Sequence, residues 1–539
     1  MLDGARLYVD VVEINPPLIV ALNIPVVLAA RALGLQPALV YQLAVFALLG
    51  LSLAASSRLL RRLLPDDPRL RRGLVALLAL VLFAMPGLDL GEREHLMLAL
   101  ILPYVWLVGT RVAGWAPPRR LGVLVGICAG VGFALKPQFL PGWLLIEVYR
   151  RWHGARRWSA PSPESLAVLA VLLVYGVIAL VVTPEYFPMV RLLGAAYGRF
   201  LYDPPGRLLL TSPSSPVTLL SILAFVALRK KARHGPVWDL LLILGAGMFL
   251  GGLLQFKGLE YHFYPARACA ILLLGVVCLD VPLRLERLSA RAYRVVAAAT
   301  VLTTSVLLSA RAARHAVEGG WSGRMDAPLE EAADLIRRYA DGGSVFVFSY
   351  HIGSSFPLLS YAGVESASRL PQLWILAAEY LDRLHAPPPL VFRSYREMDP
   401  AERYLNASVL ADLQRERPRL LLVLRNARDH PINGYRRIDY LAYFGRNPHF
   451  AATLREYEFV TNLGEYAVYR RLEDGERRQG PPPTATPGTL DLHFGEGTGV
   501  HLLIGRAEFL LSASIFLIIL AWMAWREFRG HPSTAGTAR

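Results

Sequence analysis

A chain of 539 residues that is 54% hydrophobic and only 18% charged, with mean hydropathy +0.38, is too apolar for a water-soluble globule, where charge reaches about 25%. Its formal charge of +15 does not point to nucleic acid, because the basic residues fall in short clusters between apolar segments, as cytoplasmic loops of multi-pass membrane proteins do. Cys128, Cys269 and Cys278 all lie in apolar segments, so no disulfide framework is expected.

The start, MLDGARLYVDVVEINPPL, lacks a basic region followed by an apolar stretch and reads as mature protein, not as a secretory signal. Residues 1–35 form an acidic outer loop leading into an interfacial or partly inserted helix at 17–33. A transmembrane bundle of about ten spans is expected over 36–311, with apolar segments near 36–60, 73–88, 95–112, 121–135, 137–151, 164–183, 216–229, 237–255, 266–283 and 294–311. The segments at 121–151 and 216–229 are short enough to be tilted, broken or half-crossing. Basic clusters mark every second connection: Arg61 to Arg72, Arg119 and Arg120, Arg150 to Arg157, Arg229 to Arg233, and Arg284 to Arg294. The positive-inside rule places these in the cytoplasm and puts the N-terminus and the alternate connections outside.

Over 312–477 the periodicity changes. EEAADLIRRYA predicts an amphipathic helix, SVFVFSY and LLLVLR buried strands, and YEFVTNLGEYAVYRRL a hairpin. A Pro-rich tether at 478–505, a last transmembrane helix at 506–525 and a cytoplasmic tail at 526–539 complete the chain. The expected fold class is an α-helical polytopic membrane bundle with a small extracytoplasmic α/β domain before the last transmembrane helix. The abundance of arginine over lysine suits a GC-rich bacterial genome, and the expected location is the bacterial inner membrane, with the soluble domain and the active site on its outer side.

Ionisable groups at a membrane edge are costly unless solvated or paired, and four sets of them share the outer side. The first is LYVDVVEINPPL, in which Asp10, Glu13 and Asn15 precede a Pro-Pro that stiffens the loop. Helix capping is the plain alternative, most of all for Glu13 and Asn15. The second is Asp89, Glu92, Arg93, Glu94 and His95 at the start of an apolar span, more titratable groups than the macrodipole needs. His95 is expected to give or take a proton near neutral pH. The third is Lys136 in FALKPQFLPGW, and the fourth is QFKGLEYHFYP with Lys257, Tyr261 and His262. Lysines at such edges often only snorkel to the headgroups. Together, carboxylates beside cations suit group transfer from a lipid phosphate: a carboxylate deprotonates the acceptor hydroxyl and the cations take up charge on the departing phosphate. Arg93, Lys136, Lys257, Tyr261 and His262 are the expected phosphate-binding groups.

The loop Tyr8, Asp10, Asn15-Pro16-Pro17, the acidic loop at 89–95, the Lys136 loop and a soluble domain after the bundle resemble the GT-C superfamily of integral membrane glycosyltransferases. The resembling branch is bacterial, related to protein O-mannosyltransferases and to the lipid A aminoarabinose transferase. The resemblance covers most of residues 1–311 and implies inverting transfer of a sugar from a polyprenyl-phosphate donor to an extracytoplasmic acceptor. Asp10 would stand as the first-loop catalytic aspartate and Glu92 or Glu94 as the second-loop acid, with His95 beside them. Some members hold a divalent metal on such acids, so Mg²⁺ or Mn²⁺ on Asp10 and Glu94 is a further implication. In that family a transmembrane helix precedes the acidic loop, and here nine residues precede Asp10, so either a further helix lies upstream of Met1 or this chain lacks that helix. Two other classes remain: a transporter or lipid flippase, which would need ionisable residues at mid-bilayer depth, and a non-enzymatic envelope assembly protein acting through its soluble domain. Convergence of these side chains within about 10 to 12 Å would favour the transferase.

Overall fold

The computed structural model describes residues 2, 4–86, 89–153, 161–212, 214–280, 327–350, 352, 355–356, 358–380, 390–425, 438–463, 466–473 and 475–476. The spans expected at 294–311 and 506–525, the tether and the tail lie outside the described residues. The chain divides into two compact units, one of residues 1–17, 179–202 and 324–496, the other of residues 18–178, 203–323 and 497–539.

The second unit is a helical bundle. Its helices are α1 (Leu18–Leu33), α2 (Pro37–Leu63), α3 (Pro68–Ala79), α4 (Arg93–Val112), α5 (Arg119–Leu135), α6 (Leu140–His153) and α7 (Pro163–Val182), whose last residues fall in the other unit. After α8 (Tyr186–Arg199), which belongs wholly to the other unit, come α9 (Pro205–Thr211), α10 (Ser214–Leu228), α11 (Gly235–Leu253) and α12 (Tyr264–Asp280). Proline opens α2 and α3, where its missing N–H costs nothing, and the Asp67 carboxylate accepts from Leu70 N at 2.9 Å to cap α3. Nearly every side chain of α4 and α12 is buried, which makes these the central helices. By contrast α2, α7 and α10 expose Leu51, Leu173, Val181 and Val226, each at least 70% accessible. So much apolar surface on long helices is what a hydrocarbon solvent allows and water does not.

Five helices are long and apolar enough to cross a membrane: α2, α4, α7, α11, and α12 with the turn at 260–263 before it. The count becomes six if α5 and α6 form one span, and among the described residues it falls short of the expected ten. α3 and α10 are too short, and α5 and α6 meet at a bend of 114°. The bend follows from Pro137, which bars the preceding residue from helical geometry; Lys136 accordingly takes φ −143°, ψ 78°. Close helix contact needs glycine here. A Cβ on Gly247 of α11 would run into the backbone of Gly142 in α6, so the two helices approach as no larger pair of residues would permit.

The first unit contains a four-stranded sheet in the order β1 (Val345–Phe348), β2 (Leu420–Leu424), β4 (Tyr466–Arg471), β3 (Tyr457–Leu463). β1 and β2 are parallel, while β4 runs antiparallel to both β2 and β3. Every residue of β1 and β2 is buried, because each strand is covered on both faces. Val345, Val347, Leu420 and Leu422 pack with Ala333 and Ile336 of the helix Ala327–Ala340. Phe346, Phe348, Leu421 and Val423 belong to a larger core that also takes in Tyr8, Val12, and Met189, Leu193 and Ala196 of α8. The stretch 179–202, expected as part of the bundle and its outer connection, therefore folds with this unit through the apolar face of α8. Residues 1–17 join it as well, so the boundary falls at 17/18 and not at 35.

Candidate functional site

In the bundle, α4, the α5–α6 bend and the turn before α12 bring together Glu94, Lys136 and His262. Glu94 is fully buried, Lys136 is 5% exposed and His262 1%. The Lys136 ammonium stands 2.7 Å from Glu94 Oε1, and His262 Nε2 lies 3.7 Å from the same oxygen. Neither carboxylate oxygen makes a well-directed hydrogen bond with a described residue, nor does His262 Nδ1. Glu94 Oε1 is spent on the Lys136 ammonium, whereas Glu94 Oε2 and His262 Nδ1 are the kind of buried polar atom that receives a ligand or water. The Tyr261 ring lies 5.9 Å from the Lys136 ammonium. Lys257 and Arg93 act electrostatically on His262, and Arg93 also on Glu94 and Lys136. Lys257 is itself 4% exposed, and burial brings its ammonium down to about 8.

This cluster is built locally by simple means. The break at Lys136-Pro137 frees the lysine from both helices, and a 3₁₀ turn at Pro137–Phe139 starts the next. Glu94 faces inward from the first turn of α4, one residue after Arg93 and two after the exposed Glu92. Of the two acids left open by the sequence, Glu94 joins the cluster and Glu92 does not. Glu92 sits at the N-cap of α4, but its side chain caps nothing. The loop before it is pinned by Gly91, whose φ of +85° a side chain would strain, and whose carbonyl accepts from the Tyr41 hydroxyl at 2.5 Å.

His95, expected to move protons, is engaged at both ring nitrogens. Nδ1 accepts from Gly91 N at 3.1 Å, and Nε2–H donates to Leu82 O at 2.9 Å. That tautomer fixes a neutral imidazole as a strut between the loop and the middle of the π-helical turn at Leu80–Ala84 after α3, and no nitrogen remains for catalysis.

Asp10, Glu13 and Asn15 lie in the other unit. Asp10 Oδ2 accepts from Arg6 N at 2.8 Å and from Arg6 Nε at 3.2 Å, and these bonds hold its carboxyl below the usual carboxylate range. Glu13 Oε1 accepts from Ile14 N, Asn15 N and Asn15 Nδ2 at 2.7, 3.0 and 2.7 Å, so these two residues knit their own loop. Tyr8, at φ 70°, donates to Asn15 O at 2.7 Å and is buried against Tyr186.

The set implied for a divalent metal, Asp10 and Glu94, does not suit one. Arg6 occupies the first carboxylate and Lys136 the second, and Lys257 and Arg93 would repel a further cation at Glu94. Among the described residues Asp67, His234 and Asp280 are close enough to share an ion, but Asp280 already accepts from His234 N, His234 Nδ1 and Trp238 Nε1.

Several polar groups inside the bundle escaped the sequence reading. Glu147 is buried with Arg150 at 2.9 Å and accepts from the Tyr104 hydroxyl, and Glu164 is buried against Arg111. An acid within the apolar run LLIEVYRRWH is the signal that marked Glu147. Arg267, 4% exposed on α12 and 3.8 Å from Glu260, was hidden as an ordinary helix residue. Asp239, by contrast legible as an acid in the apolar run VWDLLLILG, is tied to Arg229 at 2.6 Å and to the Tyr149 hydroxyl at 3.0 Å.

Comparison with family models, with curated proteins and with solved structures gives no match to this chain.

Proposed function

We propose that this membrane protein is a glycosyltransferase that moves a sugar from a polyprenyl-phosphate donor to an extracytoplasmic acceptor, with inversion at the sugar carbon. One observation carries the reading: Lys136, at a break between apolar helices, and His262, in the turn before α12, converge on the buried Glu94, and His262 Nδ1 makes no hydrogen bond with a described residue. Lys257 and Arg93 add to a positive field there. A cation-rich site sunk in an apolar bundle suits a ligand that is anionic at one end and hydrocarbon at the other, as a polyprenyl phosphate is.

In the reaction the acceptor oxygen bonds to the anomeric carbon as the bond from that carbon to the phosphate oxygen breaks. The electron pair leaves with the phosphate, where Lys136 and Lys257 take up the added charge. The acceptor proton passes to a carboxylate, a role the resemblance gives to Asp10, which its Arg6 bonds keep ionised at neutral pH. Glu94 and Tyr261 hold the Lys136 ammonium in place. The transporter reading would need ionisable residues along a path at mid-bilayer depth, whereas Asp239 and Asp280 stand near the ends of α11 and α12 and are bound there by Arg229, Tyr149, His234 and Trp238.

The test is transfer from a panel of polyprenyl-phosphate monosaccharides by the purified full chain, read as released polyprenyl phosphate. Asp10→Asn should abolish release while the protein still inserts and folds, and so should Lys136→Met combined with Glu94→Gln, which removes the lysine without stranding a buried carboxylate. Release that survives in both variants would sink the assignment.

A further inference from the structure

We propose that an arginine-lined cavity at the joined ends of α2 and α3 binds the headgroup of an anionic phospholipid. The cavity has a volume of about 280 Å³ and is lined by Ser57, Arg61, Arg71, Arg72 and Val75. Residues 64–67 connect the two helices, so Ser57 and Arg61 on the last turns of α2 face Arg71, Arg72 and Val75 on the first turns of α3. Arg71 is held in position by donating from Nη1 to Leu64 O at 3.2 Å and to Pro65 O at 3.5 Å, which leaves the rest of its guanidinium to the cavity.

The charge there is not neutralised from within. Among the described residues none of Arg61, Arg71 and Arg72 is ion-paired with a carboxylate, and Asp67 spends an oxygen on Leu70 N. Three guanidinium groups and a hydroxyl around one small cavity form a donor set matched to phosphate oxygens, which arginine meets in a planar fork. A lipid is favoured over a free anion by what continues from the cavity. On α2, residues 57, 50 and 43 repeat at seven, with 61 and 39 four residues beyond either end, so all share one face. Gly50 on that face is exposed and would meet nothing with a Cβ, and Leu43 and Leu39 beyond it are exposed apolar side chains. The headgroup pocket thus opens onto a shallow apolar stripe along a membrane helix, where an acyl chain would lie. Basic pockets between membrane helices recognise anionic headgroups in this way.

The experiment is native mass spectrometry of the full-length protein in detergent, titrated with phosphatidylglycerol, phosphatidylcholine or inorganic phosphate. Phosphatidylglycerol should be retained in preference to phosphatidylcholine, and inorganic phosphate should not displace it. Arg61→Gln with Arg72→Gln should weaken retention about tenfold or more, since each arginine at such a surface contributes several-fold. Both side chains are exposed, so the substitutions leave folding intact, and Arg71 is kept for its contacts with the α2 end. Arg58→Gln with Arg69→Gln removes the same charge from the same two helices but outside the cavity lining, and retention should hold. Equal weakening by the two pairs, equal retention of the two lipids, or displacement by inorganic phosphate would each overturn the proposal.

Discussion

Lys136→Met should destabilise the bundle, and Glu94→Gln added to it should restore most of the loss. In the native protein the two charges are 2.7 Å apart with side chains 6% and 0% exposed, so water does little to screen them. Removing the ammonium leaves Glu94 two courses. It can remain an unpaired buried carboxylate, at about 3 to 5 kcal/mol. Alternatively it takes up a proton, which for an ordinary glutamate at pH 7 costs about 1.36 × (7 − 4.3), or about 3.7 kcal/mol. The second course caps the loss, so about 3 to 4 kcal/mol is expected at pH 7, a fall in melting temperature on the order of 10 °C for a cooperative unit of this size. The assay is thermal melting of detergent-solubilised protein for the two single variants and the double variant, a cycle that isolates the pair. If Lys136→Met and the double variant melt alike, Glu94 was never an uncompensated charge and the buried pair does not exist. The double variant also separates structure from function: it should melt near the native protein yet transfer no sugar, because the phosphate has lost its cation.

Gly247→Ala should lower stability by about 1 to 3 kcal/mol through collision with the Gly142 backbone, whereas Gly176→Ala, whose Cβ meets nothing, should leave the melting temperature unchanged. His95→Phe should weaken the bundle, since Gly91 N and Leu82 O lose their partners, and an unaffected melting temperature would contradict its role as a strut. In the other unit, burial and then the neighbouring Asp399 carboxylate push Glu379 from 4.5 to about 7, against the Arg393 and Arg199 guanidinium groups. Because folding raises this value, its contribution to stability is complete below about 4.5 and is lost as pH rises to about 7. The melting temperature of Glu379→Gln should therefore fall less across that window than that of the native protein, and identical slopes would refute the proton shared between Glu379 and Asp399.

The helices were legible where the apolar run was long and uninterrupted. Residues 95–112 and 237–255 differ from α4 and α11 by no more than two positions at either end, because about 20 apolar residues have one economical conformation in a membrane. Hydropathy was blind to geometry at the bend. The short segments at 121–135 and 137–151, expected to be tilted, broken or half-crossing, are bent by 114° at Pro137, and a hydropathy sum contains no angle. The stretch around α8 misled for a related reason. YFPMVRLLGAAYGR carries Met189, Leu193 and Ala196 on one face, a period that shows burial but not the element that does the burying.

For the candidate site, sequence identified the residue types and lost the partners. Glu92, Glu94 and His95 were equivalent members of one acidic loop until the backbone turned them apart, Glu92 to solvent, Glu94 to Lys136 and His95 to two backbone groups. Which of three neighbours faces inward depends on the helical phase at the first turn of α4, and that phase is set by Gly91 and Tyr41, the latter 50 residues away in sequence. Lys136 and Lys257 were both marked at the membrane edge, and it is Lys136, at the break between α5 and α6, that meets Glu94. The reason is general: an ammonium carried into an apolar bundle must find a carboxylate or give up its proton. A lysine at a helix break therefore predicts a buried acid elsewhere in the chain, and here that acid lies 42 residues earlier.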